Sequence, residues 1–266
     1  MTDPFTTPER SRNRNAAPTS FSENDPSILA HFREWNVTDT NVEHIDLSRS
    51  YSDGGGRYCA IIDGLLTEAE CRLLIGLCEE RNWDTALLNE TKAEDIRKSK
   101  RLLIDDKALA DIMYERIMLA LAPDEEDVEI YEKRVSRMNN RFRFLKYTVG
   151  DYFRTHMDGS YTTPNGEERS MMTCQLYLNT GGGVDCLGGE TNILGRDQQG
   201  TSDELKILYP VVPKTGRCLL FDHRTYHEGA EVTAGVKFAV RNELMYDLSS
   251  RVEARRGKKK SICAIF

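Results

Sequence analysis

The first fifty residues show no regular alternation of apolar and polar positions. Ser, Thr, Asn and Pro dominate, so 1–56 reads as a mostly disordered arm ending in the joint Ser52-Asp53-Gly54-Gly55-Gly56. Patterning begins at RYCAIIDGLL, 57–66, a short apolar run suited to a strand. Thr67-Glu68-Ala69-Glu70 then has the form of a capping box, where hydroxyl and carboxylate each satisfy a free backbone N–H. Cys71, Leu74, Ile75 and Cys78 follow at helical spacing and predict a helix over about 68–81. Leu109, Ile112, Met113, Ile117 and Leu121 predict a second near 107–121.

Beyond the acidic stretch 123–132 the period shortens. RFRFLKY (141–147), MMTCQLYLN (171–179), GETNIL (189–194), KILYPVV (206–212), RCLLFD (217–222) and KFAVRNELMY (237–246) are strand-like runs separated by Gly, Pro and Asn. Many short strands spaced by turns predict a sandwich or barrel. Helices first and strands afterwards give an α+β, mainly β, fold with helices packed on one sheet. The chain divides into the arm, one domain over 57–248, and a basic tail over 249–266.

Composition narrows this. A chain of 266 residues can bury one sizeable core, and no apolar run approaches a bilayer span. The start, MTDPFTTPERSRNRNAAPTS, has no apolar stretch, so no secretory signal is expected. Seven scattered cysteines without a CxxC pair predict free thiols in a reducing, cytoplasmic setting. Cys174 and Cys218 fall inside strand runs and are expected in the core. The net charge of −7 hides a tail of +5 over 251–266, leaving −12 on the body, so no nucleic-acid partner is expected.

The candidate chemistry starts at His156-Met157-Asp158, in a chain with only five histidines. On a strand, residues i and i+2 share a face, so an H-x-D aims an imidazole and a carboxylate at one point. His227, just beyond the strand at 217–222, is a second imidazole. Two His and one carboxylate make the facial triad that holds non-haem Fe(II) and leaves positions for a bidentate co-substrate and O2. Ten residues on, Lys237 lies on the last core strand with Arg241 further along the same face. A cation aimed into a sandwich core is costly unless it meets an anion, and 2-oxoglutarate would supply one. His223, at the end of its strand, is expected to face away from the metal.

These segments, in order, resemble the prolyl 4-hydroxylase branch of the Fe(II)/2-oxoglutarate-dependent dioxygenases. The resemblance runs from about Tyr58 to Tyr246 through YCAIIDGLLTEAEC, FLKYTVGDYFRTHMDGSY, TCQLYLN, LGGET, PKTGRCLLF and HEGAEVTAGVK. It implies a double-stranded β-helix (jelly roll), with His156, Asp158 and His227 as iron ligands. Lys237 matches the residue that binds the 2-oxoglutarate C5 carboxylate. Tyr177 matches a tyrosine bonded to that carboxylate, and Tyr147 one lining the pocket. Arg241 departs from the better-known members, which have a smaller group there; it would orient Asp158 or bind an acidic substrate. The implied reaction hydroxylates an unactivated C–H of a prolyl or other protein residue, releasing succinate and CO2, with ascorbate as reductant.

Three other readings stay open on the residues: oxidation of a small-molecule metabolite, a membrane-anchored module that binds metal and 2-oxoglutarate without turnover, and a zinc hydrolase using the same ligands, which would leave Lys237 without a partner. The tail raises a separate expectation. Cys263-Ala264-Ile265-Phe266 has the C-a-a-X form, with Phe pointing to geranylgeranyl, and RRGKKK lies just upstream. A prenyl chain beside a polybasic patch predicts anchoring to a cytoplasmic membrane face.

Overall fold

Strands β10 (Glu168–Tyr177) and β17 (Lys237–Asp247) pair along almost their whole length and form the centre of the molecule. The computed structural model describes residues 20–48, 50–51, 56–85, 96–122, 129–130, 133–196 and 204–248. The tail with Cys263 lies outside the described residues. Among the described residues, no helix is long and apolar enough to cross a membrane.

The large sheet runs β1 (Asn41–His44), β2 (Cys59–Asp63), β14 (Cys218–Asp222), β10, β17, β8 (Arg141–Tyr147), β5 (Lys100–Asp105), β3 (Asp84–Thr85). β7 (Lys133–Met138) pairs the far half of β17, and β6 (Glu129–Ile130) pairs β7. Facing it is a second sheet in the order β13 (Lys206–Val211), β12 (Thr191–Gly195), β15 (Tyr226–Gly229), β9 (Tyr152–His156), β4 (Arg97–Lys98). A short pair, β11 (Cys186–Gly188) and β16 (Val232–Gly235), completes the double-stranded β-helix.

Period-2 alternation explains why the central strands read as unbroken apolar runs. Cys218 and Leu220 of β14, Cys174 and Leu176 of β10, and Phe142 and Phe144 of β8 turn outward to the helical layer. Their neighbours Leu219, Phe221 and Tyr177 turn inward to the second sheet. Both faces are buried, so both parities must be apolar except where chemistry requires otherwise. Cys174 and Cys218 are core residues, as expected, and the six described cysteines are buried free thiols.

The helical layer follows its sequence signals. The first long helix, Glu68–Glu79, has a complete capping box: Glu70 N–H donates to Thr67 Oγ1 (3.2 Å) and Thr67 N–H to Glu70 Oε2 (2.7 Å). Glu70 is also locked by Arg116 of the second long helix, Lys107–Leu121, whose guanidinium donates to both carboxylate oxygens (2.6 and 3.0 Å). Both side chains are buried, so this pair pins one helix to the other.

Residues 20–48 correct the expectation of an arm reaching residue 56. A short helix, Phe21–Asn24, and a 3-10 segment, Pro26–Phe32, plant Phe21, Ile28 and Phe32 in the helix-side core. Ser20 and Ser22 bond Asp106, the N-cap of the second long helix. β1 extends the large sheet from β2. Isolated anchors in 3-10 turns leave no 3.6-residue rhythm, which is why the stretch reads as unpatterned.

Candidate active site

Three elements bring the expected metal ligands together. His156 is the last residue of β9, and His227 lies on β15, where the two are direct cross-strand partners. Their rings are 4.2 Å apart. Asp158 lies just past the end of β9, so the H-x-D is not wholly on a strand as expected. Instead the Asp158 N–H donates to His223 O (2.9 Å), which ties the segment beyond β9 to the one between β14 and β15. His227 lies beyond β14, as expected, on a short strand of its own. The ligand atoms of His156, Asp158 and His227 all lie within 4.8 Å of one another.

Hydrogen bonding sets the tautomers. His156 Nδ1 meets Arg154 O at 2.7 Å and His227 Nδ1 meets Thr225 O at 3.0 Å. A carbonyl only accepts, so each Nδ1 carries the proton and each Nε2 offers a lone pair. His156 Nε2 is buried with no hydrogen-bond partner, as expected for a nitrogen reserved for a metal. Burial, and then the neighbouring His227, push the His156 pKa down to about 3, and burial lowers that of His227 too. For Asp158, burial pushes upward, but Arg241 and the surrounding groups prevail and hold it well below the usual carboxylate range. Two neutral imidazoles and one carboxylate are the donor set of a non-haem Fe(II) site.

Asp158 is held from two sides. Thr173 on β10 donates to its Oδ2 (2.5 Å), and Arg241 Nη2 lies 3.1 Å from its Oδ1. Arg241 thus reaches Asp158, the placement that the first of its two expected roles requires. Its other prong reaches Glu243 Oε1 at 2.9 Å. His223 stays outside the ligand cluster, buried, with neither ring nitrogen hydrogen-bonded to protein.

His156, Asp158 and His227 line a cavity that Lys237, 3% exposed, lines as well. Its Nζ donates to Gly189 O (2.6 Å) and sits over the rings of Tyr147 (5.2 Å) and Tyr177 (5.4 Å). Among the described residues no carboxylate is within ion-pair reach of it. Burial lowers its pKa to about 8. A cation this dry, facing a cavity beside three metal-ligand side chains, fits the far carboxylate of a dicarboxylate. Gly189 matters here: its φ is +75°, and a Cβ would come within 3.1 Å of the Lys237 side chain. Tyr147 lines the cavity as expected. Tyr177 does not; it is fully buried and its hydroxyl donates to Thr191, which does line the cavity.

Sequence reasoning missed several residues. Thr173 and Gln175 share a face of β10 with Tyr177, and polar residues at alternate positions of an apolar strand were a readable sign of a polar face. Arg97, on β4, also lines the cavity; its Nε donates to Ser99 Oγ (3.1 Å) and its guanidinium covers the Phe153 ring (4.7 Å). Phe153 in turn stacks on His156 at 3.6 Å. No sequence pattern marks Arg97, because its partner strand is reached only through the fold.

Residues 142–242 match the 2OG-Fe(II) oxygenase superfamily, a span that includes the three ligands and Lys237. The matched span covers 101 of the 266 residues and takes in the whole candidate site except Arg97. Solved structures with a similar fold include a Pseudomonas putida prolyl-4-hydroxylase at 16% identity and TM-score 0.47, covering 82% of this chain and 97% of that one. Another is the viral collagen prolyl hydroxylase of Paramecium Bursaria Chlorella virus-1 in its 2OG complex, at 19% identity and TM-score 0.46, covering 74% and 98%. A third is a Trichoplax adhaerens prolyl hydroxylase bound to a hypoxia inducible factor oxygen degradation domain peptide, at 15% identity and TM-score 0.49, covering 86% and 96%. No curated protein matches the chain.

Proposed function

We propose that the chain is a 2-oxoglutarate-dependent dioxygenase that hydroxylates an unactivated C–H of a residue in a protein, prolyl in the first instance, coupled to conversion of 2-oxoglutarate and O2 to succinate and CO2. The observation that carries the co-substrate is the buried Lys237 in the cavity of the His-Asp-His cluster, which among the described residues has no carboxylate within ion-pair reach. The substrate class rests on the prolyl 4-hydroxylase-like order of the sequence segments.

In this reading His156 Nε2, Asp158 and His227 Nε2 hold Fe(II), which supplies the O2 chemistry when bound. Arg154 O and Thr225 O keep both imidazoles in the ligating tautomer. Thr173 and Arg241 fix the carboxylate so that it presents a defined lone pair. Lys237 takes the C5 carboxylate, with its charge maintained by that pairing. The Tyr147 and Tyr177 rings wall the ammonium from water and favour its cationic form. Phe153 covers His156 and narrows access to the ligands. Ascorbate serves as the external reductant that keeps the metal ferrous.

The test is to incubate Fe(II), ascorbate and 2-oxoglutarate with a library of prolyl peptides under oxygen-18 gas. The expected result is one labelled oxygen in succinate and one in a hydroxylated peptide. Labelled succinate without any peptide product, and a labelled small metabolite instead, would overturn the protein-substrate reading.

A further inference from the structure

Behind Asp158, the inner face of the large sheet carries an unusual row of charges. In register across β10, β17 and β8 stand Gln175, Arg241 and Arg143, and one step along the same face Thr173 is opposite Glu243. Two guanidinium side chains are thus direct cross-strand neighbours, a pairing that is destabilising unless an anion separates them. Glu243 is that anion. It is 1% exposed, and its Oε1 accepts from Arg241 Nη1 at 2.9 Å. Arg143 Nη1 lies 3.1 Å from the same oxygen, close enough to pair in charge though not aligned as a hydrogen bond.

The arrangement is a chain of alternating sign: Asp158, Arg241, Glu243, Arg143. Arg241 is a two-pronged clamp, one prong on the carboxylate ligand and one on Glu243. A guanidinium anchored at both ends has a fixed plane, whereas one anchored only at Asp158 is free to pivot and to pull that carboxylate with it. The four charges sum to zero. Without Glu243 the platform behind the site carries a net positive charge where a divalent cation is to bind.

We propose that Glu243 is a positioning residue: by separating Arg143 from Arg241 and holding the second prong of Arg241, it fixes Asp158 and neutralises the platform under the metal. Glu243 does not touch the ligand cluster; it acts through Arg241. This rests on the reading of His156, Asp158 and His227 as metal ligands.

The test uses Co(II) as the probe, with affinity read from its absorption on titration into the metal-free full chain, and folding read from thermal melts. Wild type is expected to bind. Glu243→Gln is expected to bind Co(II) roughly 10–100-fold more weakly, the range for an outer partner of a ligand. Adding Arg143→Met removes the opposing cation, restores neutrality and should recover most of that loss; Arg143→Met alone should bind at least as tightly as wild type. A folded Glu243→Gln with wild-type affinity would overturn the proposal. So would a double variant as weak as the single, since Glu243 would then merely pack. If Glu243→Gln does not fold, Glu243→Asp carries the test: its carboxylate is one methylene short, weaker binding is expected, and unchanged affinity would overturn the proposal. Failure of wild type to bind Co(II) would instead overturn the ligand assignment itself.

Discussion

His156 and His227 stand opposite each other on adjacent antiparallel strands, and each bonds through Nδ1 to the carbonyl two residues before it in its own chain. The same local device is used twice. Strand register brings the rings to 4.2 Å, and the backbone carbonyls fix which nitrogen faces the common point. The fold thus sets both the position and the protonation of the two imidazoles, leaving one carboxylate to complete the site.

His156→Ala and Asp158→Ala are expected to abolish Fe(II)-dependent turnover while the protein stays folded. Loss of a ligand should weaken metal binding by more than the roughly 10–100-fold that loss of an outer partner costs. Metal titration alongside a melting curve checks both halves.

Thr173→Val keeps the shape of the side chain but removes the bond to Asp158 Oδ2. Fe(II) affinity should fall about tenfold, at the low end of the effect of an outer partner. The measurement is the same titration, and it ranks Thr173 below Asp158.

Lys237→Ala should raise the KM for 2-oxoglutarate by at least roughly 100-fold, because breaking a dry ion pair costs about 3–5 kcal/mol. Metal affinity should change far less. An unchanged KM would shift this role to another cation of the cavity, Arg241 first.

Lys237 also predicts a pH profile. Its pKa, lowered by burial to about 8, means that above this pH the free protein must take up a proton to pair with the co-substrate. Affinity for 2-oxoglutarate should therefore be flat below about pH 8 and fall by up to roughly tenfold per pH unit above it. Lys237→Arg stays charged throughout and should flatten that limb. Calorimetric titration of Co(II)-loaded protein at a series of pH values reads this directly.

Away from the site, Arg116→Met leaves Glu70 buried without its counter-charge and uncovers Leu65 O and Phe32 O. Unfolding in denaturant should show a loss of about 3–5 kcal/mol.

Much of this was legible in the sequence for a physical reason. Strands β14 and β17 are largely buried on both faces, so they appear as apolar runs, and the polar exceptions in β17 include the chemistry. That is why Lys237 and Arg241 stood out. The capping box of Thr67 and Glu70 announced its helix for a similar reason, since orphan N–H groups demand a partner. β5 and β7 were missed because KRLLID and KRVSRM carry charges on strands nearer the sheet edge. Residues 20–48 were missed because single anchors such as Phe21 and Phe32 have no period. Arg241 and Glu243, two apart on one face of β17, were a readable pair of opposite charges, whereas Arg143 meets Glu243 only across strands, so nothing in its own segment marks it. The same holds for the two-residue offset that carries Asp158 off the end of β9: a long-range bond from its N–H to His223 O cannot be read from H-x-D alone.

The central claim, that His156, Asp158, His227 and Lys237 form one oxidative site, is tested most directly by oxygen-dependent succinate formation from 2-oxoglutarate with Fe(II) or Zn(II). The account predicts succinate with Fe(II), none with Zn(II), and loss of the Fe(II) signal in both His227→Ala and Lys237→Ala at low 2-oxoglutarate. Equal succinate from wild type and His227→Ala, or no succinate from folded wild-type protein with Fe(II) bound, would contradict it.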